Sequence, residues 1–279
     1  MSGGWDFAQL RSDLVRLAES VGNRPILVHS DLGPFGMPSG VAGRGQLLDG
    51  WADALTAVAG LRTLVLPTFN YDWCRTGLFD VHRDPCQVGV LNERLRQRHP
   101  ANRTATPVFN FLVLGEGFRR APCVNVLGPQ STFAELVAAD AAVVFLGTRF
   151  AAGTINHHHE ELLASPYRYA KSFSGTISDA SATQEFTITY RVRPKGATLA
   201  YAQQRRAAEL VEGGILRHVE VVGQAVAWFP AAAHWELYRR LMTADPHVLL
   251  DDAGRLEAAT LYQRYGHPLQ WEAVEDGSG

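Results

Sequence analysis

Apolar residues in the first half of the chain recur at two alternating spacings. In residues 7–22, FAQLRSDLVRLAESVG, Phe7, Leu10, Leu14 and Leu17 stand three or four apart, which predicts an amphipathic helix, and PILVHS follows as a short buried strand. GQLLDGWADALTAVAG and TLVLP repeat this pair. VFNFLVLG and AAVVFLG supply two more strands, and Thr132 with Glu135 in STFAELVAA predicts a capping box that starts the helix before the second of them. Helix and strand alternating to about residue 165 predict an α/β fold with a mixed, largely parallel central sheet flanked by helices.

Beyond Pro166 the period changes. KSFSGTIS and EFTITYRV alternate apolar and polar residues as hairpin strands do, YAQQRRAAELVEG and AAAHWELYRRLMTAD read as helices, and VEVVGQAVAWF between them reads as a strand. The C-terminal half thus adds antiparallel strands and helices to the core, and EDGSG reads as a frayed end. No repeat or linker interrupts the chain. Residues 1–279 therefore read as one domain, 1–165 forming the α/β core and 166–279 an elaborated half.

With 46% hydrophobic and 19% charged residues, 279 residues can bury a sizeable core, and no apolar run approaches the ~20 residues that span a membrane. A net charge of −2, from 26 basic and 28 acidic side chains, excludes partners held by bulk electrostatics, namely duplex nucleic acid and anionic membrane. Cys74, Cys86 and Cys123 are odd in number and lack CxxC spacing, and MSGGWDFAQLR has no signal-peptide pattern. Both features point to a reducing cytoplasm.

In α/β sheets ligands settle at the carboxyl ends of strands, so the polar segments after apolar runs are where chemistry is sought. VHSDLGPFGMPSG, residues 28–40, places Ser30 and Asp31 after a strand among glycines, a loop able to present N–H groups and a hydroxyl to phosphate. LPTFNYDWCRTGLFD, residues 66–80, is an aromatic loop carrying Asp72, Arg75 and Asp80, suited to a pocket wall or a sugar-stacking surface, or to docking on the core. RTATPVFNFLVLG, from Arg103, sets a cation and hydroxyls before a strand that contains Asn110, a residue type that when buried usually satisfies neighbouring backbone. GTRFAAGTINHHHEELL, residues 147–163, offers Thr154 as a helix N-cap, with His157 and Glu160, and likewise His158 and Glu161, at i, i+3 on one helical face. An imidazole held by a carboxylate is suited to proton transfer near neutral pH. A metal site is disfavoured there, because adjacent histidines on a helix diverge and HExxH is absent.

Taken in order, these segments resemble the aminoglycoside 3-N-acetyltransferase family. The family's V-H-S strand end is present at 28–30, its L-V-x-P-T at 64–68, and its F-D-x-x-x-x-P-x-x-x-G-x-L-x-E-x-x-R as FDVHRDPCQVGVLNERLR from Phe79 to Arg96. R-S-x-H-P-x-x-S corresponds to Arg103 through Asn110, with Thr106 at the family's His and Asn110 at its Ser, and T-x-x-H-x-x-E is met by Thr154, His157 and Glu160. The resemblance covers about residues 8–170. It implies transfer of an acetyl group from acetyl-CoA, with no metal, to the amine of a small sugar. His29, Ser30, Asp31, Leu32, Thr68, Arg103, Thr106, Asn110 and Thr154 would hold the coenzyme, and residues 166–279 would complete the acceptor cleft. Tyr71, Asp72, Trp73, Asp80 and Glu93 are the expected acceptor-binding residues.

On this reading the acceptor amine gives its proton to His157, the free amine attacks the thioester, and Glu160 orients His157 and favours its protonated form. The 66–80 loop is similar to family members associated with polysaccharide and aminosugar biosynthesis, and the near-neutral charge does not suit a polycation, so an amino-deoxysugar, free or nucleotide-linked, is the expected acceptor. Three alternatives stand beside it: an aminoglycoside antibiotic as acceptor, a zinc-dependent hydrolase using His157, His159 and Glu161, and a non-catalytic coenzyme- or sugar-binding relative. Whether the chain forms a homodimer is open at this stage.

Overall fold

The side chain of Asp6 accepts a hydrogen bond from the Gln9 N–H at 2.8 Å and starts α1 (Phe7–Ser20), whose Leu10, Leu14 and Leu17 are buried as their spacing requires. This computed structural model describes residues 4–180 and 182–275. In chain order there follow β1 (Ile26–Ser30), α2 (Arg44–Ala59), β2 (Leu64–Pro67), α3 (Trp73–Thr76), β3 (Leu78–Asp80), α4 (Val90–Arg98), β4 (Phe111–Leu114), α5 (Thr132–Ala138), β5 (Ala142–Leu146) and α6 (Ile155–Leu162). The second half contributes β6 (Tyr169–Ser178), β7 (Thr183–Val192), α7 (Gln203–Glu212), β8 (Arg217–Val221), β9 (Gln224–Pro230), α8 (Ala231–Ala244), α9 (Asp252–Tyr265) and α10 (Trp271–Glu275). Of the tail EDGSG, residues 276–279 lie outside the described residues.

The main sheet has the order β4-β2-β1-β5-β9-β8. β1 pairs in parallel with β2 and with β5, while β4, β9 and β8 are antiparallel additions. The mixed α/β fold is the expected one, with parallel pairing in this sheet confined to β2, β1 and β5. Alternate residues feed two apolar layers: Ile26, Val28, Ala142 and Val144 pack on the α1–α2 side, and Leu27, Val143 and Phe145 on the side that also buries Phe133 of α5 and Tyr238 of α8. Coverage on both faces is why these strands read as unbroken apolar runs.

KSFSGTIS and EFTITYRV do pair as a hairpin, with register from Tyr169↔Val192 to Ser178↔Thr183. Together with β3, which runs parallel to β6, the hairpin forms a separate three-stranded sheet. Two local expectations change. VEVVGQAVAWF is not one strand but two, β8 and β9, reversed at Val222 and Gly223, whose φ values are 42° and 77°. The cap of α5 is Ser131, whose side chain accepts from the Ala134 N–H, while the Glu135 carboxylate accepts from the Arg119 N–H.

Candidate active site

The carboxyl ends of β1 and β2 open onto a cavity of about 320 Å³ lined by His29, Ser30, Pro67, Phe69, Gly89, Asn92 and Thr154. His29 stacks on Phe145 with ring centroids 5.5 Å apart, and burial lowers its pKa to about 4, so the ring is neutral at physiological pH. Asn92 of α4 donates to the Pro67 carbonyl at 2.8 Å and the Val88 carbonyl at 3.1 Å, and accepts from the Ser30 hydroxyl at 3.4 Å, which ties three segments of the wall together. Thr154 sits at the N-cap of α6 without capping through its side chain. Its Oγ1 and the Nε2 of His29 are buried without a protein partner. Such groups cost about 1–3 kcal/mol each unless something bonds them.

Other residues assigned to the coenzyme on the strength of the resemblance face elsewhere. The Asp31 carboxylate accepts from the Gly33 N–H at 2.9 Å, and Leu32 is buried in the apolar layer. Thr68, Arg103 and Asn110 form a buried clamp: Asn110 Oδ1 accepts from Thr68 Oγ1 at 2.9 Å and from Arg103 Nε at 2.8 Å, and the guanidinium also donates to the carbonyls of Thr68 and Asp84, both at 2.6 Å. Thr106 is buried with its hydroxyl near the Cys123 sulfur. None of these six lines the cavity.

The residues expected to bind acceptor are also largely committed. Trp73 is a core residue, Asp72 pairs with Arg75 at 3.1 Å and accepts from Gln87, and Asp80 accepts from the N–H groups of His82 and Arg83. Glu93 takes a bidentate contact from Arg96 at 2.7 and 2.8 Å. Tyr71 is exposed, and the Asp72 side chain is 44% exposed beside Arg75.

His157 and Glu160 meet as their spacing predicts, Nδ1 to Oε2 at 2.7 Å. Thr154, which lines the cavity, is the N-cap of α6 and stands three residues before His157, which does not itself line the cavity. The Glu160 carboxyl is fully buried, yet its pKa falls to about 2: burial would raise it, and the Arg168 guanidinium, with Nε 3.0 Å away, His157 and Tyr201 more than reverse that. The ionised carboxylate can only accept, so Nδ1 of neutral His157 carries the proton and Nε2 keeps a lone pair on a ring that is 30% exposed. Burial first, and then Arg168, lower the His157 pKa from its ordinary 6.5.

The neighbouring histidines do not join this pair. His158 Nδ1 lies 2.6 Å from the Leu127 carbonyl, and Glu161 accepts from Asn125 at 2.9 Å and from the Arg191 N–H at 2.6 Å, so the second i, i+3 pair does not form. Buried His159 bonds through Nε2 to His234 Nδ1 at 2.8 Å. His157, His159 and Glu161 thus point to three different partners, and among the described residues no group of three or more His, Cys, Asp or Glu could hold a metal ion.

Four contributors went unrecognised in the sequence. Asn92 adjoins Glu93 inside the Phe79–Arg96 segment and could have been found there; Tyr167, Arg168 and Tyr201 belong to no motif, and only the return of the second half onto α6 brings them to Glu160.

A sequence profile described as aminoglycoside 3-N-acetyltransferase matches residues 27–243. The chain belongs to the aminoglycoside 3-N-acetyltransferase family. Its enzyme class is accordingly that of an N-acetyltransferase. Solved structures agree in fold. The aminoglycoside acetyltransferase AAC(3)-Xa superposes with a TM-score of 0.65 at 22% identity over 85% of this chain and 92% of its own. AAC-IIIb, solved as a binary complex with CoASH, gives 0.66 at 21% over 85% and 96%. A histidine-to-alanine mutant of AAC(3)-IVa in complex with gentamicin gives 0.70 at 19% over 94% and 98%. No curated protein matches the sequence. No helix among the described residues of this family member is long and apolar enough to cross a membrane.

Proposed function

We propose that this enzyme transfers an acetyl group from acetyl-CoA to an amine on a sugar ring, with His157 as general base. The observation that carries the reading is the His157–Glu160 pair at 2.7 Å, which leaves Nε2 unprotonated three residues along the chain from Thr154, in a cavity with two unpaired buried polar atoms. The acceptor ammonium loses one proton to solvent, the free amine attacks the thioester carbon as His157 Nε2 takes its second proton, the C–S bond breaks, and that proton passes from His157 to the departing thiolate. Thr154 and His29 line the cavity and are the candidates to bond the thioester end of the coenzyme. Use of the coenzyme is supported by the relative solved with CoASH.

For the acceptor, an amino-deoxysugar with few amines is the favoured class, free or nucleotide-linked. Asp72, Asp80 and Glu93 are already engaged by arginines, a glutamine or backbone N–H groups, which leaves little unpaired negative charge in that region for a polycation. An aminoglycoside antibiotic is the second reading, supported by the relative captured with gentamicin. Both present a primary amine on a sugar ring. A thiol-release screen with acetyl-CoA against aminoglycosides and nucleotide-linked aminosugars separates them, and the larger kcat/KM is expected for an aminosugar; higher values for gentamicin reverse the order. Turnover that persists in His157→Asn removes the base assignment, and zinc in stoichiometric amount by elemental analysis would reinstate the hydrolase.

A further inference from the structure

A buried cation stands against the imidazole of His157. Arg168, in the segment between α6 and β6, is 8% exposed. Its Nε lies 3.0 Å from Glu160 Oε2, and its Nη2 donates to the Tyr201 hydroxyl at 2.7 Å and lies 3.3 Å from His157 Nδ1. The hydroxyls of Tyr167 and Tyr201 occupy Glu160 Oε1 at 2.9 and 2.6 Å. The carboxylate that faces His157 therefore already has a fixed countercharge, and its Oε1 has two donors.

We propose that Arg168 is a positioning residue that sets how tightly His157 holds a proton: by matching the charge of Glu160, it leaves the carboxylate able to orient the imidazole while weakening its stabilisation of an imidazolium. The proposal rests on the reading of His157 as the base. Glu160 does favour the protonated form, as expected from the sequence, but burial and the Arg168 cation outweigh it. The charged and titratable groups facing His157 are Glu160 on its own helix, Arg168 and Tyr167 on the segment that follows, Tyr201 before α7, and Arg206 on α7. From β7, the Arg191 guanidinium turns to the Arg168 carbonyl at 3.2 Å. With both tyrosines neutral, one carboxylate is set against two nearby guanidiniums, and protonation of the ring would add a net positive charge to a buried site. A base held this weakly stays neutral in mildly acidic solution and gives its proton up readily to the departing thiolate.

The test is a histidine NMR titration of the full chain, with the His157 resonance assigned by His157→Asn, run beside pH profiles of kcat/KM. Wild-type His157 is expected to titrate below 6.5, its ordinary value, and a midpoint above that overturns the proposal whatever the variants do. In Arg168→Gln the midpoint is expected to rise by about one pH unit or more, with the acid limb of kcat/KM moving up beside it. Arg168→Lys, which keeps the charge, is expected to hold both low. An unshifted resonance in Arg168→Gln overturns the role given to Arg168 alone, whereas turnover retained in His157→Asn overturns the base assignment alone.

Discussion

The hydroxyl of Tyr201 donates to Glu160 Oε1 at 2.6 Å across 41 positions of sequence, while the opposite oxygen of the same carboxylate faces His157 at 2.7 Å. The carboxylate is thus fixed from both sides, and its loss has two separable consequences. Glu160→Gln presents an amide that can point its N–H₂ at Nδ1 and so favour the wrong tautomer, and kcat is expected to fall by about 10²-fold or more, with a smaller change in acceptor KM. The same change leaves Arg168 buried without its countercharge, which in comparable sites costs about 3–5 kcal/mol. A lowered melting temperature is expected alongside the lost rate, and steady-state kinetics well below that temperature separate the two. Equal kcat in variant and wild type would remove the orienting role.

Asn92 tests the cavity proposed to hold the coenzyme. Its amide bridges Pro67, Val88 and Ser30 across the cavity wall and makes no contact with His157 or Glu160. Asn92→Ala frees two carbonyls and a hydroxyl at the cavity rim, so KM for acetyl-CoA is expected to rise by about 10-fold, equivalent to about 1.4 kcal/mol, with kcat for saturating coenzyme changed much less. A variant with unchanged KM for acetyl-CoA would place the coenzyme elsewhere.

How much of this was legible in the chain follows from the range of each interaction. The His157–Glu160 contact is local, fixed by three residues of helix, and the central strands are local too, each an apolar run covered on both faces. Arg168 and Tyr201 are ordinary loop residues until the three-stranded sheet and α7 return to α6, a tertiary event that periodicity does not encode. The division of VEVVGQAVAWF depended on Val222, a β-branched residue at φ 42° that reads as strand by composition. Thr68, Arg103 and Asn110 matched a motif, yet a motif fixes where residues stand in the chain and not which way their polar atoms turn.

The join between the aromatic loop and the hairpin depends on two glycines. A Cβ at Gly175 would stand 2.0 Å from the Gly77 carbonyl oxygen, and Gly77 itself has φ +67°. Gly175→Ala must therefore push the backbone at Gly77 away from β6 and loosen the β3–β6 pairing, at a cost of about 1–3 kcal/mol. Faster amide exchange and proteolysis across residues 72–80 are expected, with β1 and β5 unchanged; uniform exchange rates in variant and wild type would show that the loop holds without this contact.

Buried neutral histidines set the acid side of stability. His29, His158, His159 and His234 all have pKa values lowered by burial; His234, at a 2.8 Å contact, further disfavours charge on His159, and Arg206 does so on His234. Above the ordinary value of 6.5 both folded and unfolded chains leave these rings neutral, and no stability depends on them. As pH falls below it, the unfolded chain binds protons that the folded chain refuses, so the folded state loses stability progressively until its own rings titrate. Glu160, held near 2, adds a loss only in much stronger acid, because its lowered pKa stabilises the fold wherever it is ionised. The urea midpoint is therefore expected to drop between about pH 7.5 and about pH 5.5, well before carboxylate protonation contributes. A midpoint that is flat over that interval would mean the histidine cluster opens to water without unfolding the chain.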